Sequence, residues 1–209
     1  MTDDGGVLYS KFSRFYDPLF RWVTLPRQRE AIRGAGIRPG SRVMDLGVGT
    51  GLSLNLYPSG CRVTGVDISD EMLCLARRRV DRWRLDNVDL HCVDAGAVDE
   101  AFPPHHFDYV FAAFVISVVE DPVDVLKRIR RIGKEDCTFV LVNHFRSLHP
   151  VMATVERALE PLCNRIGWKN GVNLDEVLRA SGLAVIRKKK YLPTDIWTIV
   201  YARNASCPS

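Results

Sequence analysis

Long apolar runs are missing from this 209-residue chain. Nothing in it approaches the roughly 20 consecutive apolar residues that a bilayer-spanning helix needs. Metal-ligand spacing is missing as well. The six cysteines, Cys61, Cys74, Cys92, Cys137, Cys163 and Cys207, form no CxxC pair and join no Cys/His cluster, which argues against a metal site. Several lie inside apolar strand-like runs, so they read as reduced, mostly buried thiols of a cytoplasmic protein. The opening MTDDGG is acidic and polar, unlike the basic and apolar start of a secretory signal. Internal repeats, low-complexity tracts and linkers are also lacking. What is present is ordinary for a globular chain: 46% hydrophobic and 26% charged residues, in a length that supports one substantial core but not two large ones.

Charge is unevenly placed. The net formal charge is +4, yet residues 5–40 hold seven Lys/Arg against two acids, Asp17 and Glu30. That balance of +5 reads either as a solvated helix face or as a surface for an anionic partner. The basic runs ARRRVDRWR, KRIRR and RKKK read as solvated faces. No recognition motif or aromatic-rich sheet accompanies them, so nucleic acid is not an expected partner.

From residue 42, short β-rich runs alternate with helical ones. RVMDLG, CRVTGVDI, VDLHCVD, FDYVFAAFVI and DCTFVLVNHF read as strands, and 51–57, 70–84 and 122–132 as helices. Near-continuous apolar strands alternating with helices predict a parallel sheet covered on both faces. Ser69 is placed to cap the second helix and Pro122 to open the third. After residue 150 the pattern predicts a helix interrupted at Pro161, a short helix closed by Gly182, and two strands, LAVIRKKKYL and DIWTIVYAR, forming an antiparallel pair. The division expected is an N-terminal helical lid over 1–36 and a ligand-binding domain over 37–209.

The chemistry lies in VMDLGVGTG, residues 43–51. A strand ends at Asp45 and leads into Gly47, Gly49 and Gly51, a tight turn whose bare backbone lets a ligand approach. Asp67 ends the next strand, where a carboxylate is suited to accept hydrogen bonds from two ribose hydroxyls. The dinucleotide fingerprint is GxGxxG, whereas this spacing is GxGxG with a carboxylate two residues upstream. A pyrophosphate would not favour Asp45 beside it. A cationic ligand with an amino-acid end tolerates it, which favours S-adenosylmethionine over NAD.

These residues resemble the class I S-adenosylmethionine-dependent methyltransferases over about residues 38–145. The resemblance implies a Rossmann-like α/β fold. Its seven-stranded, mostly parallel sheet has helices on both faces, the last strand antiparallel and an N-terminal helical lid. It also implies that Gly47 and Gly49 approach the donor's methionine portion and that Asp67 holds the ribose. Ile68 and Met72 would pack on adenine, and Asp94 with Ala95 would border its edge. The segments GVGTGLSLNLYP, FAAFVISVVEDP, VNHF and YLPTDIWTIVYAR further resemble bacterial soluble-type phosphatidylethanolamine N-methyltransferases. Quinone and small-molecule methyltransferases share much of the pattern. A phospholipid substrate is what this resemblance implies, and with the basic N-terminal segment it leads to the expectation of an anionic membrane surface as partner and a peripheral location at the inner face of the cell membrane; the oligomeric state is open, with a monomer expected. The alternatives are a methyltransferase for a soluble molecule or quinone, and a non-catalytic donor-binding scaffold.

An amine acceptor must be neutral to attack, and a primary amine has a pKa of about 10. Tyr9 and Tyr16 are candidates to orient the nitrogen, or else they pack. His144, after the fifth strand, is a candidate to accept a proton or, with Arg146, to meet a headgroup phosphate. Phe114 either borders donor or substrate or packs in the core. In VLYSKFSRFYDPLFRW, residues 7–22, Leu8, Phe12, Phe15, Tyr16 and Leu19 recur at helical spacing, while Asp17-Pro18 starts a second short helix. Phe20 and Trp22, with Arg14 and Arg21 beside them, have the composition of a segment lying on anionic lipid.

Overall fold

The computed structural model describes residues 22, 24–144, 174–191, 195 and 197–205. Helix α1 covers residues 24–35. There follow β1 Arg42–Leu46, β2 Arg62–Asp67, α2 Asp70–Trp83, β3 Val88–Cys92, α3 Val98–Ala101, β4 Phe107–Ala113, α4 Pro122–Ile132 and β5 Gly133–His144. The last elements are α5 Leu174–Ser181, β6 Leu183–Lys189 and β7 Trp197–Asn204. One seven-stranded sheet runs in the order β3-β2-β1-β4-β5-β7-β6. β1 pairs in parallel with β2 and β4, β2 with β3, and β4 with β5. β7 lies antiparallel between β5 and β6, as the sequence predicts for its last strand. The strand order reverses between β1 and β4, and the crevice outside their carboxyl ends is where an open α/β sheet binds ligands.

Alternation along the central strands divides the core into two layers. Met44, Val110 and Phe139 join α4 and α5 through Leu126, Ile129 and Leu178. Val43, Phe111 and Val140 join α1 and α2 through Ala31, Ile32, Leu73 and Ala76. α4 follows from its sequence. Asp121 accepts from Val123 N and Asp124 N, Pro122 opens the first turn, and Val125, Leu126, Ile129 and Ile132 form one buried stripe. Each such Leu or Ile buried is worth about 1.5–3 kcal/mol. α2 starts where expected, with Ser69 accepting from Met72 N, and ends at Arg84 in the left-handed region.

Three expectations need correction. Residues 51–57 form no α-helix but a single 3-10 turn, Leu54–Leu56, because the chain must fold Tyr57 back beneath β1. The fourth strand stops at Ala113, where Phe114 turns to φ +64°, so residues 114–116 are not strand: Phe114 stays half-buried while Val115 and Ile116 turn into the core. The cysteines are not mostly buried among the described residues: Cys61 and Cys137 are, but Cys74 and Cys92 are exposed. Cys74 takes an outward position of α2 beside the buried Leu73, and Cys92 is the last residue of the edge strand β3. The helix expected around Pro161 and the pair of helices meeting at Asp17 lie outside the described residues.

α1 is tied to the β6–β7 hairpin by side chains from both. Arg27 makes a two-pronged ion pair with Asp195, Nε to Oδ2 at 2.7 Å and Nη2 to Oδ1 at 2.9 Å. Its guanidinium also lies 4.4 Å from the Trp197 ring centroid. Lys189 pairs with Glu30. Arg187 donates to Gly34 O at 2.7 Å, and the Tyr201 hydroxyl donates to Ala31 O at 3.2 Å.

Candidate donor-binding site

The glycine turn is built by backbone. Gly47 N and Val48 N both donate to Val66 O, at 2.7 and 2.9 Å, which splices β1's exit to β2. Gly47 has φ +71°, and a Cβ there would sit 2.2 Å from Val115 Cγ2, so its glycine is required by packing as well as by conformation. Gly49 differs. It has φ +54° and nothing within 4 Å of where its Cβ would be. That leaves an open backbone face of the kind a ligand needs. Gly51 packs against Leu54 and Ala76. From α2, Arg79 Nη1 donates to Thr50 O and braces the loop.

Asp67 organises the same turn. Its Oδ2 accepts from Gly49 N at 2.8 Å and its Oδ1 from Ser69 N at 2.9 Å. A carboxylate has about four acceptor positions. Two remain on Asp67, enough for a pair of vicinal hydroxyls. Beside it Ile68 is 66% exposed, an apolar side chain held out where a flat aromatic base would cover it, and Met72 is half-buried on the first turn of α2. Asp94 follows β3 and spends Oδ1 on Gly96 N at 2.7 Å, which fixes Ala95 at the start of a 3-10 turn. The crevice thus gathers Gly47, Gly49, Asp67, Ile68, Met72, Asp94 and Ala95 at the carboxyl ends of β1, β2 and β3.

Asp45 lies below the turn and is only 4% exposed. Ser53 Oγ donates to its Oδ2 at 2.7 Å, and the Tyr57 hydroxyl bonds to it as well. Burial pushes the Asp45 carboxyl up to about 6, against the lowering effect of Ser53 and Tyr57, and the nearby Asp67 charge adds to the rise. Burial, with the adjacent Asp45, also pushes the Tyr57 phenol well up. Asp45, Ser53, Tyr57, Phe111 and Gln28 of α1 line a cavity of about 10 Å³, space for roughly one water. Gln28 Oε1 is the one buried side-chain polar atom without a hydrogen-bond partner among the described residues. An orphaned acceptor of this kind costs about 1–3 kcal/mol.

Next to this site, at the ends of β4 and β5, stands an aromatic wall. Phe114 donates its N–H to Val142 O at 2.7 Å and meets Trp197 edge-on at 6.3 Å between centroids. A bulky residue at positive φ is strained backbone, here at the rim of the crevice. Asn143 is fully buried. With its amide turned so that both ends are satisfied, Oδ1 accepts from Ser117 N at 2.9 Å, bracing the loop after Phe114. His144 ends β5, its backbone paired with Trp197. Trp22 is 82% exposed. Tyr9, Arg14, Tyr16, Phe20, Arg21 and Arg146 lie outside the described residues.

Sequence reasoning missed Gln28, Arg27, Ser53, Tyr57, Asn143 and Asp195. Ser53 and Tyr57 lie in the LSLNLYP run just past the glycines, where the 3-10 turn replaces the expected helix. Arg27 and Asp195 are 168 positions apart, and no local spacing announces such a pair.

The site suits S-adenosylmethionine. Gly49 has an open backbone face, Asp67 keeps two acceptor positions free for vicinal hydroxyls, and Asp45 sets a buried carboxyl below the turn. Comparison with known proteins agrees. Residues 44–141 match the family described as Methyltransferase domain. A phosphatidylethanolamine N-methyltransferase of Cereibacter sphaeroides is 36% identical over 186 residues, 88% of this chain and 90% of that one. A demethylmenaquinone methyltransferase of Bacillus cytotoxicus is 30% identical, but the match covers 61% of this chain and 56% of that protein. A SAM-dependent methyltransferase of Aquifex aeolicus superposes with TM-score 0.70 at 19% identity, over 92% of this chain and 96% of that one. The [4+2]-cyclase SpnF also superposes at 0.70, with 18% identity over 86% and 81% of the two chains, so the fold alone does not fix the reaction. A relative 36% identical across nine-tenths of its length leads to one assignment: this chain belongs to the S-adenosylmethionine-dependent methyltransferases.

Proposed function

We propose that the chain methylates the amine of the ethanolamine headgroup of phosphatidylethanolamine, and of its methylated intermediates, toward phosphatidylcholine at the membrane surface. The observation that carries this reading is the 36% identity to a phosphatidylethanolamine N-methyltransferase across almost the whole of both chains. The quinone methyltransferases match only about half of their own length.

The donor supplies an electrophilic methyl group on a sulfonium. The protein's task is alignment of a neutral amine with that methyl, which is where most of the rate enhancement of such a displacement arises. Gly49, Asp67 and Asp45 fix the donor end. The wall of Phe114 and Trp197 faces the acceptor end. Apolar, aromatic walls disfavour the protonated amine by desolvation, and they attract the methylated ammonium formed as rounds proceed. Tyr9 and Tyr16 are assigned to orienting the nitrogen, His144 to receiving its proton, and Arg146 to the headgroup phosphate. Trp22, standing out from α1, together with Arg14, Phe20 and Arg21, is assigned to the lipid surface.

The test is incubation with labelled donor and phosphatidylethanolamine vesicles, followed by separation of mono-, di- and trimethylated lipids. Label in the lipid amine supports the reading. Donor binding without lipid labelling sinks it. A second reading, methylation of a quinone ring, is favoured by the 30% identity to demethylmenaquinone methyltransferase, and label in an added demethylated quinol would establish it.

A further inference from the structure

We infer that Gln28 is a donor-binding residue: its Oε1 reaches the ammonium of the donor's methionine portion from the α1 side, so that the seating of α1 on the β6–β7 hairpin is part of donor recognition. Three observations carry this. Gln28 Oε1 is buried and orphaned, although buried polar atoms are paired as a rule. It lines the same small cavity as Asp45, Ser53 and Tyr57, and Asp45 is the residue of β1 that leads into the glycine turn. Among the described residues lining that cavity the hydroxyl donors are already spent: the Ser53 hydroxyl donates to Asp45, as does the Tyr57 phenol. Gln28 Oε1, with no donor, and the Asp45 carboxyl, with acceptor positions beyond those taken by Ser53 and Tyr57, therefore line one cavity. A –NH₃⁺ group has three donors and no acceptor, which is the complement of this arrangement.

The placement of Gln28 is set from a distance. It shares α1's inner face with Ala31 and Ile32, which are buried against Val43, Phe111 and Val142. On the neighbouring position Arg27 holds Asp195, whose side chain is 1% exposed. Arg27 and Asp195 are thus positioning residues. They touch no ligand, but they set the height of Gln28 over the cavity. Loosening the pair should weaken donor binding only while Gln28 is present to be displaced.

The probes are S-adenosylhomocysteine, which carries the amino-acid end, and 5′-methylthioadenosine, which lacks it, each titrated into the full chain by calorimetry. Losing one hydrogen bond to a charged group corresponds to about tenfold or more in affinity. Gln28→Leu is expected to weaken S-adenosylhomocysteine by about that factor and to leave 5′-methylthioadenosine unchanged. The melting temperature of the ligand-free variant should hold or rise, since an orphaned acceptor is removed. Asp195→Asn should weaken S-adenosylhomocysteine in the wild-type background and have no further effect in Gln28→Leu. Equal loss for both ligands, no loss for either, or a fallen melting temperature with unchanged selectivity would make Gln28 a packing residue or the holder of a resident water, and would overturn the inference. If Gln28→Leu fails to fold, Gln28→Glu and Gln28→Met carry the same comparison. An added carboxylate should keep selectivity for the ammonium-bearing ligand, and a thioether of similar shape should lose it. The reverse order would contradict the assignment.

Discussion

At the β1–β2–β3 end of the sheet the working parts are backbone and the contacts are short-range. Gly47, Gly49 and Asp67 are at most 20 positions apart, and the carboxylate of Asp67 holds the turn through two main-chain N–H groups. At the β5–β7–β6 end the working parts are side chains joined across the whole chain. Arg27 reaches Asp195 over 168 positions, and Lys189 reaches Glu30 over 159. At the first end a short motif suffices because every part of it is local. The second end holds α1 against the hairpin beside the acceptor wall. Its parts come together only when the fold is complete.

The contrast can be broken deliberately. The largest effect is expected from Gly49→Val, which places a β-branched side chain at φ +54° and fills the cradle. S-adenosylhomocysteine affinity should fall by about two orders of magnitude or more, with the strained turn costing a further 1–2 kcal/mol or so of stability. Titration calorimetry and a denaturant melt measure the two separately. A variant that binds normally would show that the open face of Gly49 is not where the donor lies.

Next is Arg27→Met. It leaves the Asp195 carboxylate, 1% exposed, without its partner, and the loss of one member of a buried pair costs about 3 kcal/mol. Chemical denaturation should show that loss, and amide exchange should show α1 opening before β1–β3. Uniform destabilisation with no local opening of α1 would refute the latch.

The pH dependence is smaller but has a definite sign. Asp45 is raised in the folded chain to about 6 from the model-peptide value of 3.8. Its contribution to stability is therefore fully present below about pH 4 and is lost as pH rises through about 6 in the ligand-free protein. An ammonium beside it favours the ionised form, so S-adenosylhomocysteine should bind more tightly as pH rises through about 6. Below that the gain falls at up to about tenfold per pH unit. Ser53, Tyr57, Gln28 and the Asp67 charge face this carboxyl, and Asp45→Asn should flatten the profile. Affinity independent of pH between 5 and 7 would place the ammonium elsewhere. The smallest effect belongs to Lys189→Ala, which removes a pair at a side chain 48% exposed. About 0.2–1 kcal/mol of stability is expected in the same melts, and a cost near that of Arg27→Met would make the exposed pair the true latch.

The same contrast explains what the sequence disclosed. Strand and helix alternation, the capped helices α2 and α4, the antiparallel pair β6–β7 and the Gly47–Gly49–Asp67 crevice were legible because each rests on periodicity or spacing within a few residues. Residues 54–56 form only a 3-10 turn because the leucines alternate with Ser53 and Asn55, and Tyr57 and Pro58 follow directly, a composition that does not sustain a helix. Phe114 ends β4 at a positive φ that no propensity predicts. Gln28 carries no signal in the sequence, and only the fold brings it to the cavity that Asp45 lines.

The measurement that tests the account most directly is a competition. Vesicles containing both phosphatidylethanolamine and a demethylated quinol are incubated with the full chain and labelled donor, and the label is then located. The account predicts label on the lipid amine nitrogen, appearing as mono-, di- and trimethylated headgroups. Label on the quinone ring, with none in the lipid, would contradict it.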